Sequence, residues 1–294
     1  MSQQRVVLVH RATEYDELLA RHATRGQAAY FLGSRGHDMV AIEERHQSLQ
    51  EVLAAVSRQI PLDWRRGVVE RADLSSYLFT PDDIVVVVGQ DGLVANVAKY
   101  LSGQPVIGVD PGAGSDAGVL SRHPPTEIVE LLQAAASDSG IGESRTMVQL
   151  EVDDGQQLVA LNEVYLGHRT HQTSRYTLRA LGMIERQASS GIVVGTGTGS
   201  TGWCRSLSLE RHSTMVLPRP EDRALAWFVR EAWPSPWSTI ELTEGGLGDG
   251  NELLLEVESD RLVAFGDGIE DDRLVVTRGQ TVRVAVARRT LRLV

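Results

Sequence analysis

Residues 82–110 read DDIVVVVGQDGLVANVAKYLSGQPVIGVD. Ile84 to Val88 is an unbroken apolar run, and a run without alternation suits a strand buried on both faces of a parallel sheet. Leu93, Val97 and Leu101 then fall on one helix face, Gly103 offers a C-terminal stop, and PVIGVD returns to extended structure. The stretch is a β-turn-α-β unit whose turn is Gly89-Gln90-Asp91-Gly92. Upstream, RVVLV (5–9) predicts a further strand, followed by a helix in which Tyr15, Leu18, Leu19 and His22 recur at i, i+3, i+4 and i+7. A second helix, carried by Leu49, Val52, Leu53 and Val56, follows the polar EERHQS segment. It stops near Pro61, whose missing N–H ends a helix, and residues 61–83 read as irregular.

Downstream the period changes. Val148, Leu150 and Val152 alternate with Gln149 and Glu151 up to the turn Asp153-Asp154-Gly155, after which LVALNEVYL (158–166) resumes as the second arm of a hairpin. Leu253 to Phe265, and then Val282, Val284 and Val286, are set off by the turn signals Ser259-Asp260 and Arg278-Gly279, which predicts more antiparallel strands. The fold class expected is an α/β, Rossmann-like N-terminal domain over residues 1–140 and a mostly-β domain over 141–294. The boundary falls in SDSGIGE (137–143), where small, flexible and polar residues combine.

A chain of 294 residues, at roughly 150 per domain, agrees with two domains. With 42% apolar residues and no apolar run long enough to span a bilayer, a membrane role is not expected. Twenty-nine Lys and Arg against 39 Asp and Glu leave a net charge of −10, which argues against generic attraction to nucleic acid. One cysteine, Cys204, and an N-terminus without a signal peptide's apolar core predict a reducing cytoplasm.

Three constellations could carry chemistry. In Gly89-Gln90-Asp91-Gly92, free N–H groups at a helix start favour an anion, and glycine lets phosphate approach the backbone. Asp91 there could accept a proton from an attacking hydroxyl or hold Mg²⁺; the plainer alternative is a helix N-cap. The second is Gly195-Thr196-Gly197-Thr198-Gly199-Ser200-Thr201-Gly202, where glycine alternates with hydroxyl side chains and offers many donors with little bulk to a polyphosphate. It also satisfies G-x-G-x-x-G through Gly197, Gly199 and Gly202, with Glu221 and Asp222 downstream, as a dehydrogenase would require. Pro218, Pro220 and the antiparallel pattern that follows argue against that reading. The third is Asn162-Glu163, an amide and a carboxylate inside an apolar run. They could read a nucleoside's edge and ribose hydroxyls, or simply be satisfied by backbone. His168 and His171 lack the companions of a structural zinc site, and none is expected.

Taken in order, these segments resemble the NAD kinases, and most closely their mitochondrial-type subgroup with its bacterial relatives. VVVVGQDGLVANVA is similar to the family's GGDG strand-turn-helix, and PVIGVDP is followed by Ser115 and Gly118. LNEVYLG resembles the Asn-Glu motif, RQASSGIVVGTGTGSTGW the Gly/Thr loop with the subgroup's SSG and Trp, and FGDGI a further Asp-Gly motif. RGHDMVAIEERHQS resembles the subgroup's N-terminal region. The resemblance implies a two-domain kinase with its active site between the domains, acting as a homodimer or higher homo-oligomer. It also implies Asp91 as the catalytic carboxylate on the 2′-hydroxyl of the adenosine ribose of NAD. Gly89, Gln90 and Gly92 would shape the phosphate turn, and Thr196, Gly197, Thr198, Gly199, Ser200 and Thr201 would line the ATP and NAD phosphates with Mg²⁺. Asn162, Glu163, Gly202 and Trp203 would hold NAD. The sequence departs from the family at Gln90, which replaces a glycine, at Leu93, which replaces a common Thr, and at Gly202-Trp203-Cys204, which replaces Ala-Tyr-Asn. Two alternatives stand beside an ATP-dependent NAD kinase: a same-scaffold kinase of another hydroxyl (nucleoside, sugar or lipid), and a noncatalytic NAD(P)-binding protein.

Overall fold

A computed structural model describes residues 4–112, 118–137 and 142–294. The chain divides into two units, one of Met1–Gly142 with Arg292–Val294 and one of Glu143–Leu291. The boundary expected at 140/141 falls on residues outside those described.

The first unit is a parallel α/β layer. Its strands are β1 (Arg5–His10), β2 (Arg65–Glu70), β3 (Asp83–Val88) and β4 (Pro105–Val109), in the order β2-β1-β3-β4. Arg292 and Leu293 add a further parallel pairing beside Pro105 and Val106. β3 is buried along its whole length, as its unbroken apolar run demands. Three helices, α1 (Glu14–His22), α2 (Arg25–Gly33) and α3 (Met39–Gln59), separate β1 from β2, while α4 (Asp91–Ala98) joins β3 to β4 and α5 (Ile128–Ala136) follows. Val6, Leu8, Ile84, Val86, Val88 and Ile107 pack with Val56 and Leu132 into one core.

Several expectations need correction here. Residues 61–83 are not irregular: RRGVVE forms β2, in parallel register with β1. Its pattern is weak because β2 lies at the sheet edge and leaves Arg65, Arg66 and Val68 exposed. The polar EERHQS segment does not precede a helix but lies inside the 21-residue α3, where it is the more exposed part. Gly103, at φ +99°, turns the chain into β4 after α4 has already ended at Ala98.

The second unit is built from antiparallel pairings. Its strands are β5 (Glu143–Val152), β6 (Gln157–Ala160), β7 (Glu163–Gly167), β8 (Ser174–Ala180), β9 (Met183–Ser189) and β10 (Ile192–Gly195). After α6 (Trp203–Glu210) come β11 (Ala224–Val229), β12 (Glu244–Gly248), β13 (Glu252–Val257), β14 (Arg261–Gly266), β15 (Ile269–Thr277) and β16 (Thr281–Leu293). One sheet runs β12-β11-β10-β7-β14-β15; in the other, β9-β8-β13-β16 continues through β5 to β6. Alternating residues of both sheets, among them Leu150, Leu178, Trp227, Leu253, Leu262 and Val284, form one core. LVALNEVYL is thus two strands, since β6 pairs with β5 while β7 pairs with β10 and β14. β10 is antiparallel to both neighbours, which removes the parallel βαβ setting that a Rossmann glycine motif needs. Among the described residues, no helix is long and apolar enough to cross a membrane.

At the base of β3, Asp83 is fully buried and grips Arg5 with two bonds of 2.6 Å, while Thr80 donates to it from both N and Oγ1 at 2.7 Å. Burial opposes the charged form, but the bonds from Arg5 and Thr80 outweigh it and hold this carboxyl below its usual range. Asp83→Ala is expected to destabilise the protein by about 2 kcal/mol in urea unfolding, because it removes a fully buried carboxylate on which Arg5 and both Thr80 donors converge. A loss below about 1 kcal/mol would be that of a surface pair and would contradict this role.

Candidate functional sites

Each unit holds one group of the sequence-selected residues. In the first, the turn after β3 begins at Gly89, whose φ of +156° and contact with Leu93 Cδ2, 3.1 Å from where a Cβ would sit, both favour glycine. Gln90 is the cap residue of α4, is exposed and makes no side-chain cap bond. Its long side chain therefore lies in solvent. A Cβ on Gly92 would meet open space.

Asp91 is not the N-cap. It is the first residue of α4, and its carboxylate reaches across to the segment after β4. Oδ2 accepts the Val119 N–H at 2.8 Å, and Oδ1 accepts those of Leu120 at 3.0 Å and Ser121 at 2.8 Å. Two glycines allow the approach: a Cβ on Gly118 would lie 2.0 Å from Asp91 Oδ1, and one on Gly108 would lie 2.0 Å from the Leu120 carbonyl oxygen. An ionised carboxylate offers about four acceptor positions. Three are filled, so among the described residues the remaining one lies on Oδ2. Ser115 lies outside the described residues.

In the second unit the centre is the crossing from β6 to β7. Asn162 and Glu163 sit where the chain leaves one sheet for the other, and two partners satisfy the backbone there. Asp267, in the turn between β14 and β15, accepts the N–H groups of Leu161 at 2.8 Å, Asn162 at 2.7 Å and Glu163 at 3.3 Å. Its own N–H donates to the Glu163 carbonyl at 3.1 Å. From the opposite side Thr196 donates N–H to the Asn162 carbonyl at 2.8 Å and Oγ1–H to the Leu161 carbonyl at 2.5 Å. With the main chain paired, the side chains of Asn162 and Glu163 make no hydrogen bond among the described residues, so neither is absorbed by the fold.

The Gly/Thr loop follows β10 and folds onto this crossing. A Cβ on Gly199 would lie 2.3 Å from the Asn162 carbonyl oxygen, and one on Gly197 would lie 1.8 Å from that of Arg219. Glycine here serves backbone packing as well as ligand approach. Many of the loop's donors are engaged internally: Thr198 and Gly199 donate N–H to Thr196 Oγ1, Ser200 Oγ donates to the Thr196 carbonyl, and Thr201 Oγ1 to that of Thr198. Thr198 Oγ1 alone among these hydroxyls is buried without a partner.

After Gly202, Trp203 opens α6. Its ring stacks on Tyr165 at 5.8 Å, and the Arg230 guanidinium lies 5.2 Å from its centroid. The same tryptophan, with Ser206, Arg230, Glu231 and Glu244, lines a cleft of about 580 Å³. Cys204 points inward against Gly195; burial, then the nearby Glu163 charge, push its thiol up to about 12. Burial first and the Asp267 charge second raise the Glu163 carboxyl to about 7. Sequence reasoning noticed FGDGI but gave Asp267 no task, and gave none to the amides of residues 119–121 or to Arg230. These roles depend on contacts made far along the chain.

No protein-family profile matches the chain. Among curated proteins it is similar to the NAD kinase of Chlorobaculum tepidum, 27% identical over 47% of this chain and 47% of that enzyme. The NAD kinase of Carboxydothermus hydrogenoformans is 26% identical over 65% of this chain and 76% of that enzyme. That of Alcanivorax borkumensis is 32% identical over 42% and 43%. The chain thus spans about half the length of several of the curated relatives it matches. Its fold is that of an Archaeoglobus fulgidus NAD kinase solved in complex with ATP, with a TM-score of 0.57, 15% identity, and coverage of 99% of this chain and 93% of that one. The curated relatives bear out the resemblance to NAD kinases, and the solved structure bears out the architecture of an α/β domain followed by a mostly-β one.

Two outcomes follow from the geometry. Gly118→Ala would drive a methyl group into Asp91 and is expected to pull the 119–121 amides off its carboxylate. Faster amide hydrogen exchange at Leu120 and Ser121 would report it, and unchanged protection would contradict it. For Glu163, a raised folded-state value means that the fold binds its proton more tightly than the unfolded chain does. Stability is therefore lost as pH rises from 4.5 towards about 7. Glu163→Gln should be more stable than the parent by about 2 kcal/mol at pH 8, with the difference fading towards pH 4.5. Equal stability at both ends of a urea-denaturation pH series would contradict it.

Proposed function

We propose that this chain, with the fold and the curated relatives of NAD kinases, transfers the γ-phosphoryl group of ATP to the 2′-hydroxyl of the adenosine ribose of NAD and yields NADP. The observation that carries the reading is the state of the Asn162–Glu163 crossing. Its backbone is fully paired, its two side chains are left for a ligand, and the Gly/Thr loop is packed against it. An amide with both donor and acceptor, next to a carboxyl, can bind a nucleoside's base edge and sugar hydroxyls at once. The loop's small residues bring main-chain dipoles close to phosphate, which is what positioning a polyphosphate for transfer requires.

Asp91 has the task of accepting the proton of the attacking hydroxyl. Three amides fix its carboxylate, so it cannot rotate away, and the open position on Oδ2 can receive one further hydrogen bond. Gln90 does not obstruct this role, because its side chain is exposed. Mg²⁺ carried on the nucleotide phosphates would neutralise their charge; the described residues hold no group of three or more His, Cys, Asp or Glu that would bind it on protein ligands alone. Trp203 lines its cleft together with Arg230 and offers aromatic surface there to a second ring of the dinucleotide. The SSG before the loop and Trp203 after it support the mitochondrial-type subgroup. A homo-oligomer, dimer or larger, rests on the same resemblance, and a cytoplasmic setting on the single cysteine, Cys204.

The test is an assay of the protein with Mg-ATP and NAD, reading NADP in an enzymatic cycling assay. NADP is expected to form, and Asp91→Asn should lower kcat by at least about 100-fold while NAD still binds. Gln90→Gly should leave the rate unchanged or raise it. Phosphorylation of another acceptor with none of NAD, or NAD binding without turnover, would overturn the proposal.

A further inference from the structure

Asp267 sits at a non-glycine left-handed position, φ +52°, between β14 and β15. A β-turn residue does not need a side chain with three donors converging on it, and aspartate in this conformation is held by what it binds. What it binds is the main chain of Leu161, Asn162 and Glu163, more than a hundred residues away. The Glu163 carbonyl in return accepts the Asp267 N–H, so turn and crossing are locked reciprocally. Among the described residues, the titratable groups facing Glu163 are Asp267 from this turn and the Cys204 thiol from α6, and neither brings a positive charge to it.

We propose that Asp267 is a positioning residue of the nucleoside site: it holds the Asn162–Glu163 crossing in place through three backbone amides and sets its own carboxylate beside Glu163. The proposal rests on the reading of this crossing as the nucleoside site and deepens it. Asp267 touches no substrate in this account; it acts through the crossing. Burial first, and the nearby carboxylate of Asp267 second, favour the protonated form of Glu163, so the crossing can offer two hydrogen-bonding states. With its proton, Glu163 can donate to a ring nitrogen or ribose oxygen; without it, Glu163 can only accept from a hydroxyl. The ligand class selected is therefore a nucleoside that presents both kinds of group.

The experiment is a carboxyl-carbon NMR titration of Glu163 in the ligand-free protein, compared with Asp267→Asn and Asp267→Ser. In the parent protein the midpoint is expected near 7. Removing the Asp267 charge should move it down by about one pH unit, because a like charge has gone. Amide exchange at residues 161–163 should accelerate in both variants. In turnover, KM for NAD should rise about tenfold with kcat changed much less, and the pH at which KM changes should move with the NMR midpoint. A purely structural residue would alter exchange without moving either midpoint. A parent midpoint in the ordinary carboxylate range overturns the proposal even if neither variant folds, and so does an unmoved midpoint in a folded variant. The titration needs no activity, so a protein that titrates as described but forms no NADP would refute the proposed function alone.

Discussion

A chain that leaves one sheet and enters another must present its main-chain polar groups to something other than a neighbouring strand, and an unpaired buried amide is costly. In the β-rich unit that crossing is Leu161–Glu163, and the candidate site is the means by which the cost is met. Asp267 takes the amides and Thr196 meets the carbonyls of Leu161 and Asn162. Because these partners come from the β14–β15 turn and from the Gly/Thr loop, pairing the crossing also fixes both of them beside Asn162 and Glu163. A site assembled in this way is rigid before any ligand arrives, which lowers the ordering cost of binding.

The same economy explains the glycines. Gly199 and Gly197 press against carbonyls of Asn162 and Arg219, at distances no side chain could share, and Gly108 and Gly118 bring the 119–121 amides to Asp91. The loop does not present a row of idle hydroxyls to phosphate. Most are tied into the loop itself, and what they hold is its shape. A carboxylate caught by consecutive amides recurs in both units, at Asp91 and at Asp267, with different consequences: the first retains an acceptor position on Oδ2, while the second faces another carboxyl and raises its proton affinity.

The central βαβ unit was legible because β3 is apolar from Ile84 to Val88 and is buried on both faces. β2 was not, since an edge strand tolerates Arg65 and Arg66 and so loses the pattern that announces a strand. α2 presents almost no apolar stripe, and the polar stretch of α3 faces solvent, so both escaped a reading based on period. LVALNEVYL read as one strand because apolar character continues through the crossing, although the hydrogen bonds do not. The residue types of the candidate site could be chosen from the sequence, since glycines, hydroxyls and an Asn-Glu pair carry their chemistry with them. Asp267's task could not, because it exists only when a turn meets a crossing 105 residues away.

The central claim concerns where a phosphoryl group goes. It is tested most directly by phosphorus NMR of a reaction containing the protein, Mg-ATP and NAD. The account predicts loss of the γ-phosphate resonance matched by a new monoester resonance coupled to the 2′ position of the adenosine ribose. A monoester at any other hydroxyl, or ATP and NAD left intact under conditions where the protein is folded, would contradict it.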